Sequence, residues 1–292
     1  MDKVLLIAGI FTLAILLRKL GVIREKFIEM LVRYTMTISL PCLTLMTIGT
    51  LDLKHAHFEI AVIAWLVMVG GILCSYWVGR AAGLKERRLR TFMLVTTFPN
   101  TGFLGYPFAY ALYGVAGLSY AVIYDQMGMF PIFITLGFII AGGRENLLNA
   151  FQFPPFIALI IALAINWAGA SPSGKGAVIL RDIGWTTLPL TIFLIGLKVR
   201  LTASHDLKPV LWCLLLRMAA LPLLLFLIFN FLGKSGFPYR VTLMESSMPP
   251  ALTTGILALQ FRLDEDLAIS SISLGTVISM IEFSIAMALH PA

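Results

Sequence analysis

The chain is expected to fold as an all-α integral membrane protein of ten transmembrane helices, built as two inverted five-helix repeats with helices 4 and 9 broken and crossing. Three observations predict this class. The 292 residues are 59% hydrophobic and 13% charged, with mean hydropathy +0.92, whereas a soluble domain is about a quarter charged. The apolar residues fall into runs separated by Lys/Arg clusters, Gly/Pro turns and polar stretches, each close to the ~20 residues that cross the hydrocarbon. Finally, Gly83, Arg90, Thr96, Thr97 and Pro99 recur 150 residues later as Gly233, Arg240, Ser246, Ser247 and Pro249. A proline-broken span therefore occurs once in each half.

Span 1, residues 3–20, lacks a strongly basic start and a small-residue cleavage site, so it reads as a retained helix. Span 2, 27–50, follows a basic turn and carries Leu40-Pro41 and Gly49; span 3, 58–81, ends at Arg80. Span 4, 91–114, opens after a cluster of Lys85, Arg87, Arg88 and Arg90 and contains Pro99-Asn100-Thr101-Gly102. Span 5, 118–141, carries Asp125 and Pro131. The second half follows the same plan. Span 6 is 151–169, span 7 is 177–199 with Leu188-Pro189 and Gly196, and span 8 is 208–232 with Arg217 and Pro222. Span 9 is 238–260 with Pro249-Pro250, and span 10 is 266–289 with Glu282. The repeats are thus 1–141 and 151–292, joined by a cytoplasmic linker, 142–150, too short to fold alone. Five spans per half force the second half upside down, which gives a pseudo-two-fold axis in the membrane plane. Leu40-Pro41 with Leu188-Pro189, and Trp65 with Trp212, echo each other at offsets of 148 and 147, so short insertions separate the halves.

Charge sets the orientation. The turns after odd spans carry 15 Lys and Arg and those on the other side six, with Arg217 left inside span 8. By the positive-inside rule the odd turns are cytoplasmic and both termini lie outside a cell (inner) membrane. The net charge of +7 is then a record of topology, and nucleic acid is not an expected partner.

In a bilayer no water satisfies backbone groups freed by a helix break, so irregular backbone survives only where it is buried or lines a wet cavity. For Pro41, Pro131, Pro189 and Pro222 a simple kink is the expected role. Spans 4 and 9 differ, because their prolines adjoin side chains able to coordinate a ligand. A broken helix presents unpaired N–H groups and about half a positive charge at its second half, which attracts anions. If the two breaks cross, positive ends near Gly102-Phe103 and Ala251-Leu252 converge on one cavity, and the expected ligand is a small organic anion. The candidate binding residues are Pro99, Asn100, Thr101, Gly102, Pro107, Ser247, Pro249, Pro250 and Thr253; the Asn100 amide can donate to a carboxylate, and Gly102 and Gly105 allow close backbone approach.

Asp125, Glu245 and Glu282 fall within spans, as does Arg217. A charge at the membrane centre costs roughly 2.5–3.5 kcal/mol on insertion scales, so a functional or paired role is the default. The acids are candidates for proton or cation coupling as well as for structural pairing. For Arg217, substrate attraction stands beside snorkelling and pairing with a backbone carbonyl.

Cys42, Cys74 and Cys213 lie in apolar spans without metal-type spacing and read as small buried hydrophobes. His55, His57, His205 and His290 sit in turns or at the end, with no ligand set around them. No metal and no cofactor is expected, apart from H+ or Na+ as a coupling ion. With no Walker A run, nucleophile elbow or zinc motif, neither ATP-driven transport nor an enzyme is expected.

The run Thr96-Thr97-Phe98-Pro99-Asn100-Thr101-Gly102-Phe103-Leu104-Gly105-Tyr106-Pro107, followed by Leu112-Tyr113-Gly114, resembles the signature of the auxin efflux carrier family. Ser39-Leu40-Pro41 and Pro249-Pro250 fit the same pattern. The resemblance extends over the whole chain and reaches the bile-acid symporters of the same architecture. It implies a scaffold part, about 1–50 and 151–200, and a transport part, about 58–141 and 208–289, that moves like an elevator with substrate at the crossover of spans 4 and 9. It also implies substrates such as auxin, malate or malonate, and a homodimer formed through the scaffold; Gly49, Gly184 and Gly196 are small residues that would let helices pack closely there. Pro-Pro stands in span 9 where span 4 has Pro-Asn, so a symmetric polar contact is not expected. The function expected is secondary transport of small organic anions, with a sodium-coupled organic-anion symporter as the alternative and a membrane ligand sensor behind it.

Overall fold

The computed structural model describes residues 2–51, 58–143, 153–199 and 206–289. His55, His57, His205, His290 and the linker from residue 144 onward lie outside the described residues. Among the described residues the chain is all-helical, without strands. Six helical stretches are long and apolar enough to cross a membrane by length and composition: Glu25–Gly49, Glu59–Ala81, Thr101–Ala141, which is broken at Gly114, Gly174–Lys198, Leu207–Phe231 and Glu265–Met287.

We number the helices in chain order. The first half has α1 (Asp2–Lys19), α2 (Glu25–Gly49), α3 (Glu59–Ala81), α4 (Glu86–Thr97), α5 (101–113) and α6 (115–141). α5 and α6 meet at Gly114, whose φ of 67° and ψ of −158° suit only glycine and reverse the chain. The second half has α7 (Pro154–Trp167), α8 (Gly174–Lys198), α9 (Leu207–Phe231), α10 (Phe237–Ser247), α11 (Leu252–Gln260) and α12 (Glu265–Leu289). α4 starts at Glu86, five residues before the expected span 4, because the charged first turn is helical as well. A cut placed at a basic cluster cannot see that turn.

Prolines act in two ways. Pro41, Pro107, Pro131 and Pro222 each sit just after a wide π-helical turn, at Thr35–Ser39, Thr101–Gly105, Ile123–Met129 and Leu215–Ala220. The wider turn absorbs the missing N–H and the ring's clash with the preceding turn, so these helices continue. Pro99 and Pro249-Pro250 instead end one helix and precede another.

Two sets of contacts organise the molecule. α1 packs on the Thr187–Lys198 stretch of α8, and the Leu40–Gly49 stretch of α2 packs on α7 and on Gly174–Trp185. α3, α4 and α6 pack together, as do α9, α10, α11 and α12, and α4 and α5 join these groups through α12 and α10. The glycines expected to serve a dimer face are used within the chain. A Cβ on Gly184 would lie 2.8 Å from the Leu43 amide nitrogen, one on Gly196 would lie 2.7 Å from the Phe11 carbonyl oxygen, and Gly49 abuts Pro172. Close helix packing is what these residues permit, but its partners are α1, α2 and the turn before α8.

The distribution of polarity is that of a lipid-embedded chain. Leu66, Trp77, Leu223, Phe231 and Ile281 are exposed, while Arg217, Asp125 and Glu245 are buried. Burying polar groups while exposing large apolar ones is unfavourable in water and natural in a bilayer. Charged clasps sit at two corners: Arg88 meets Asp206 at 2.8 Å and Asp264 at 3.4 Å, and Lys234 meets Glu59 at 3.2 Å. Hydrogen bonding to Tyr239 and Glu59 holds the Lys234 ammonium above its ordinary pKa.

Candidate functional site

The site is built where the two breaks meet. After α4 the chain runs through Phe98-Pro99-Asn100, and after α10 through Met248-Pro249-Pro250-Ala251. The two segments cross antiparallel. The Asn100 N–H donates to the Pro249 carbonyl at 2.7 Å and the Ala251 N–H to the Phe98 carbonyl at 2.9 Å, so Pro99 lies opposite Pro250. Prolines fit there because that position needs no donor. The second break is one residue longer, which shifts the register read from the repeat. In this pairing Pro99 matches Pro250 and not Pro249, and the counterpart of Asn100 is Ala251. The polar asymmetry noted in the sequence is therefore real, but it sets Asn against Ala.

Behind the crossing lies Arg217, fully buried in α9. One guanidinium arm donates to the Thr97 carbonyl at 2.6 Å and the other to the Ser246 carbonyl. These carbonyls end α4 and α10, the negative ends of both broken helices. A planar fork with several fixed donors suits this task, and a single ammonium would not. Of the roles considered for Arg217, the geometry matches the pairing with backbone carbonyls.

In front of the crossing is a small cavity of about 60 Å³. Pro99, Asn100, Thr101, Gly102, Asp125 and Thr253 line it from the crossover side, with Gln126 beside them, and Thr35 from α2 and Thr191 from α8 line the opposite wall. Asn100 is 3% exposed and its amide nitrogen has no hydrogen-bond partner. The first residues of α5 and α11 open towards the same space, as the lining by Thr101, Gly102 and Thr253 requires. Asp125 stands at the α5 end, accepting hydrogen bonds from Thr101 Oγ1, from the Tyr106 hydroxyl at 2.7 Å and from Gln126 Nε2 at 3.4 Å.

The remaining sequence candidates do not line the cavity. Pro107 faces α1 and Pro189, away from the cavity. Ser247 turns its hydroxyl back to the Met244 carbonyl at 2.8 Å, and Pro249 and Pro250 pack against Gly275 of α12. Glu245 is fully buried one turn before its break, against Gly105. Glu282 sits on an exposed face of α12. Residues that the sequence did not single out complete the arrangement: Gln126 and Tyr106 around Asp125, and Thr35 and Thr191 across the cavity. Gln126 could have been found as an amide in an apolar run. The threonines could not, since each bonds its own helix, Thr35 to Leu31 and Thr191 to Leu188, as most membrane threonines do.

A second contact has the same self-paired character as Pro99 with Pro250. Ser39 Oγ and Thr187 Oγ1 lie 2.5 Å apart, joining the Ser-Leu-Pro of α2 to the Thr-Leu-Pro of α8.

Comparison with known proteins gives concordant results. A family described as "Membrane transport protein" matches residues 1–149 and 144–287. An uncharacterized transporter of Methanothermobacter thermautotrophicus is 28% identical over 289 residues, covering 96% of this chain and 95% of that protein. An uncharacterized transporter of Methanocaldococcus jannaschii is 27% identical over 298 residues, covering 96% of each.

Proposed function

The chain belongs to the membrane transport protein family, that of the auxin efflux carriers, and from this premise we propose that it is a secondary carrier of small organic anions, most simply carboxylates. One observation carries the reading: a buried amide donor without a partner, on Asn100, points at a cavity that also receives the first turns of two helices. Unpaired N–H groups and a positive dipole end favour an anion.

The carrier is read as ten crossings in two inverted repeats, 1–141 and 151–292, with α4–α5 and α10–α11 each forming one crossing. The self-paired contacts of Pro99 with Pro250 and of Ser39 with Thr187 support this, since equivalent residues of two inverted halves meet only on their common axis. The contact pattern supports a scaffold of α1, α2, α7 and α8 beside a transport part made from the other helices. The cavity lies between them, so sliding one part along the other would carry a bound anion across. The basic residues on the odd turns support a cell-membrane protein with both termini outside.

The test is ligand-induced thermal stabilisation of the purified protein in detergent with malonate, malate, indole acetate and a bile acid, each with sodium or choline, followed by flux in proteoliposomes. A carboxylate should raise the melting temperature, because it binds only the folded state. Asn100→Ala should bind roughly 10-fold or more weakly, the loss of one charged hydrogen bond of about 1.5–3 kcal/mol, while yielding as much folded protein. Unaltered affinity in that variant would exclude Asn100 from the site, and a response only in sodium would favour the symporter.

A further inference from the structure

Glu245 is the buried charge-bearing group that the anion site leaves unused. It is fully buried, and neither carboxyl oxygen has a hydrogen-bond partner. It fits only because Gly105 of α5 has no side chain: a Cβ there would overlap Oε2 and lie 2.6 Å from Oε1. The groups around it come from each packed element. From α9 comes Arg217, whose two terminal arms are taken by the Thr97 and Ser246 carbonyls. From α6 come Asp125 and Tyr124, and from α5 comes Tyr106, whose hydroxyl donates to Asp125. α3 also packs on α10, but its Glu59 is bonded to Tyr239 at the first turn of α10, far from Glu245.

An ionised carboxylate without donors in such surroundings would be strongly disfavoured, whereas a neutral carboxyl removes most of the cost. Asp125 and Glu245 flank the same short turn of α5, Thr101–Gly105: a Cβ on Gly102 would lie 3.6 Å from Asp125 Oδ2, as one on Gly105 meets Glu245, and Asp125 itself lines the cavity. We propose that Glu245 is the proton site of this carrier, loading and releasing one proton by way of Asp125 as the cavity fills and empties. Each hop breaks one O–H bond and makes one: a hydronium ion in the cavity gives its proton to an Asp125 oxygen and leaves as water, and Asp125 passes the proton to a Glu245 oxygen and returns to carboxylate. The proposal rests on the organic-anion reading for its coupling. An anion at Asn100 adds negative charge beside Asp125, a proton on the acid pair removes one, and each therefore favours the binding of the other by the same factor.

The experiment compares wild type and Glu245→Gln, both purified at full length. The infrared difference spectrum between them, in H2O and D2O over a pH series, isolates the C=O band of a protonated Glu245; malonate affinity is measured over the same series. We expect a band that is lost in the variant and titrates in wild type, and malonate binding that tightens roughly fivefold or more towards acid in wild type alone. A missing band, or one that never moves with pH, overturns the proposal, as does pH-dependent malonate binding that survives in the variant. If no carboxylate binds at any pH while the titrating band is present and vanishes in Glu245→Gln, the anion reading fails and the proton site stands. Should Glu245→Gln not fold, Glu245→Met, neutral and of similar length, provides the same comparison.

Discussion

At the scale of single residues, the most consequential group is Arg217, because one side chain satisfies the carbonyl ends of two helices. Replacing it with Leu strands two buried acceptors, at about 1–3 kcal/mol each, so the melting temperature should fall sharply in a thermal scan. Arg217→Lys should restore only part of that stability, because an ammonium on a flexible stem cannot reproduce the fork. Full stability in Lys would refute the clamp. That an arginine stood inside span 8 was plain from the sequence, and so was the cost of leaving it unpaired. Its partners were not, since backbone carbonyls carry no residue signature and become available only where a helix ends. Asn100 was legible for the opposite reason: an amide beside a proline and a glycine in an apolar run has few structural uses.

At the scale of elements, the extra residue in the second break decides how α11 is turned. Deleting Pro249 should rotate α11 by about 100° relative to the crossing, swing Thr253 off the cavity wall and abolish stabilisation by malonate. The deletion shifts Pro250 out of the pairing with Pro99 as well. By contrast, Pro222→Ala in α9 should leave binding unchanged, because the π-turn at Leu215–Ala220 already relieves that ring. Equal loss of binding in both variants would count against a specific role for register. The repeat was visible as residues recurring at a constant offset of 150. The one-residue slip was not, because Pro249 and Pro250 are identical in type and either aligns with Pro99. Only the hydrogen bonds from Asn100 to Pro249 and from Ala251 to Phe98 choose between them.

At the scale of the whole molecule, the cavity is walled on one side by Thr35 of α2 and on the other by Met129 of α6. In a background lacking Cys42, Cys74 and Cys213, cysteines at these two positions bridged by a short bifunctional thiol reagent should stop flux and leave the protein folded. Cleaving the bridge should restore flux, whereas continued transport while bridged would argue against relative movement of the two parts. The amino-acid sequence by itself determined that the chain is helical, apolar enough for a membrane, doubled, and broken near Pro99 and Pro249, since these follow from composition and from local rules about backbone groups in hydrocarbon. The tertiary structure alone decided that the breaks cross, that Arg217 joins their carbonyl ends, that the glycines of α8 are spent within the chain, and that Asp125 faces the cavity while Glu245 lies behind it. Each of these depends on which face of a helix meets its neighbour. In a span that is apolar all round, no periodic pattern marks that face, and packing between distant segments is left to choose it.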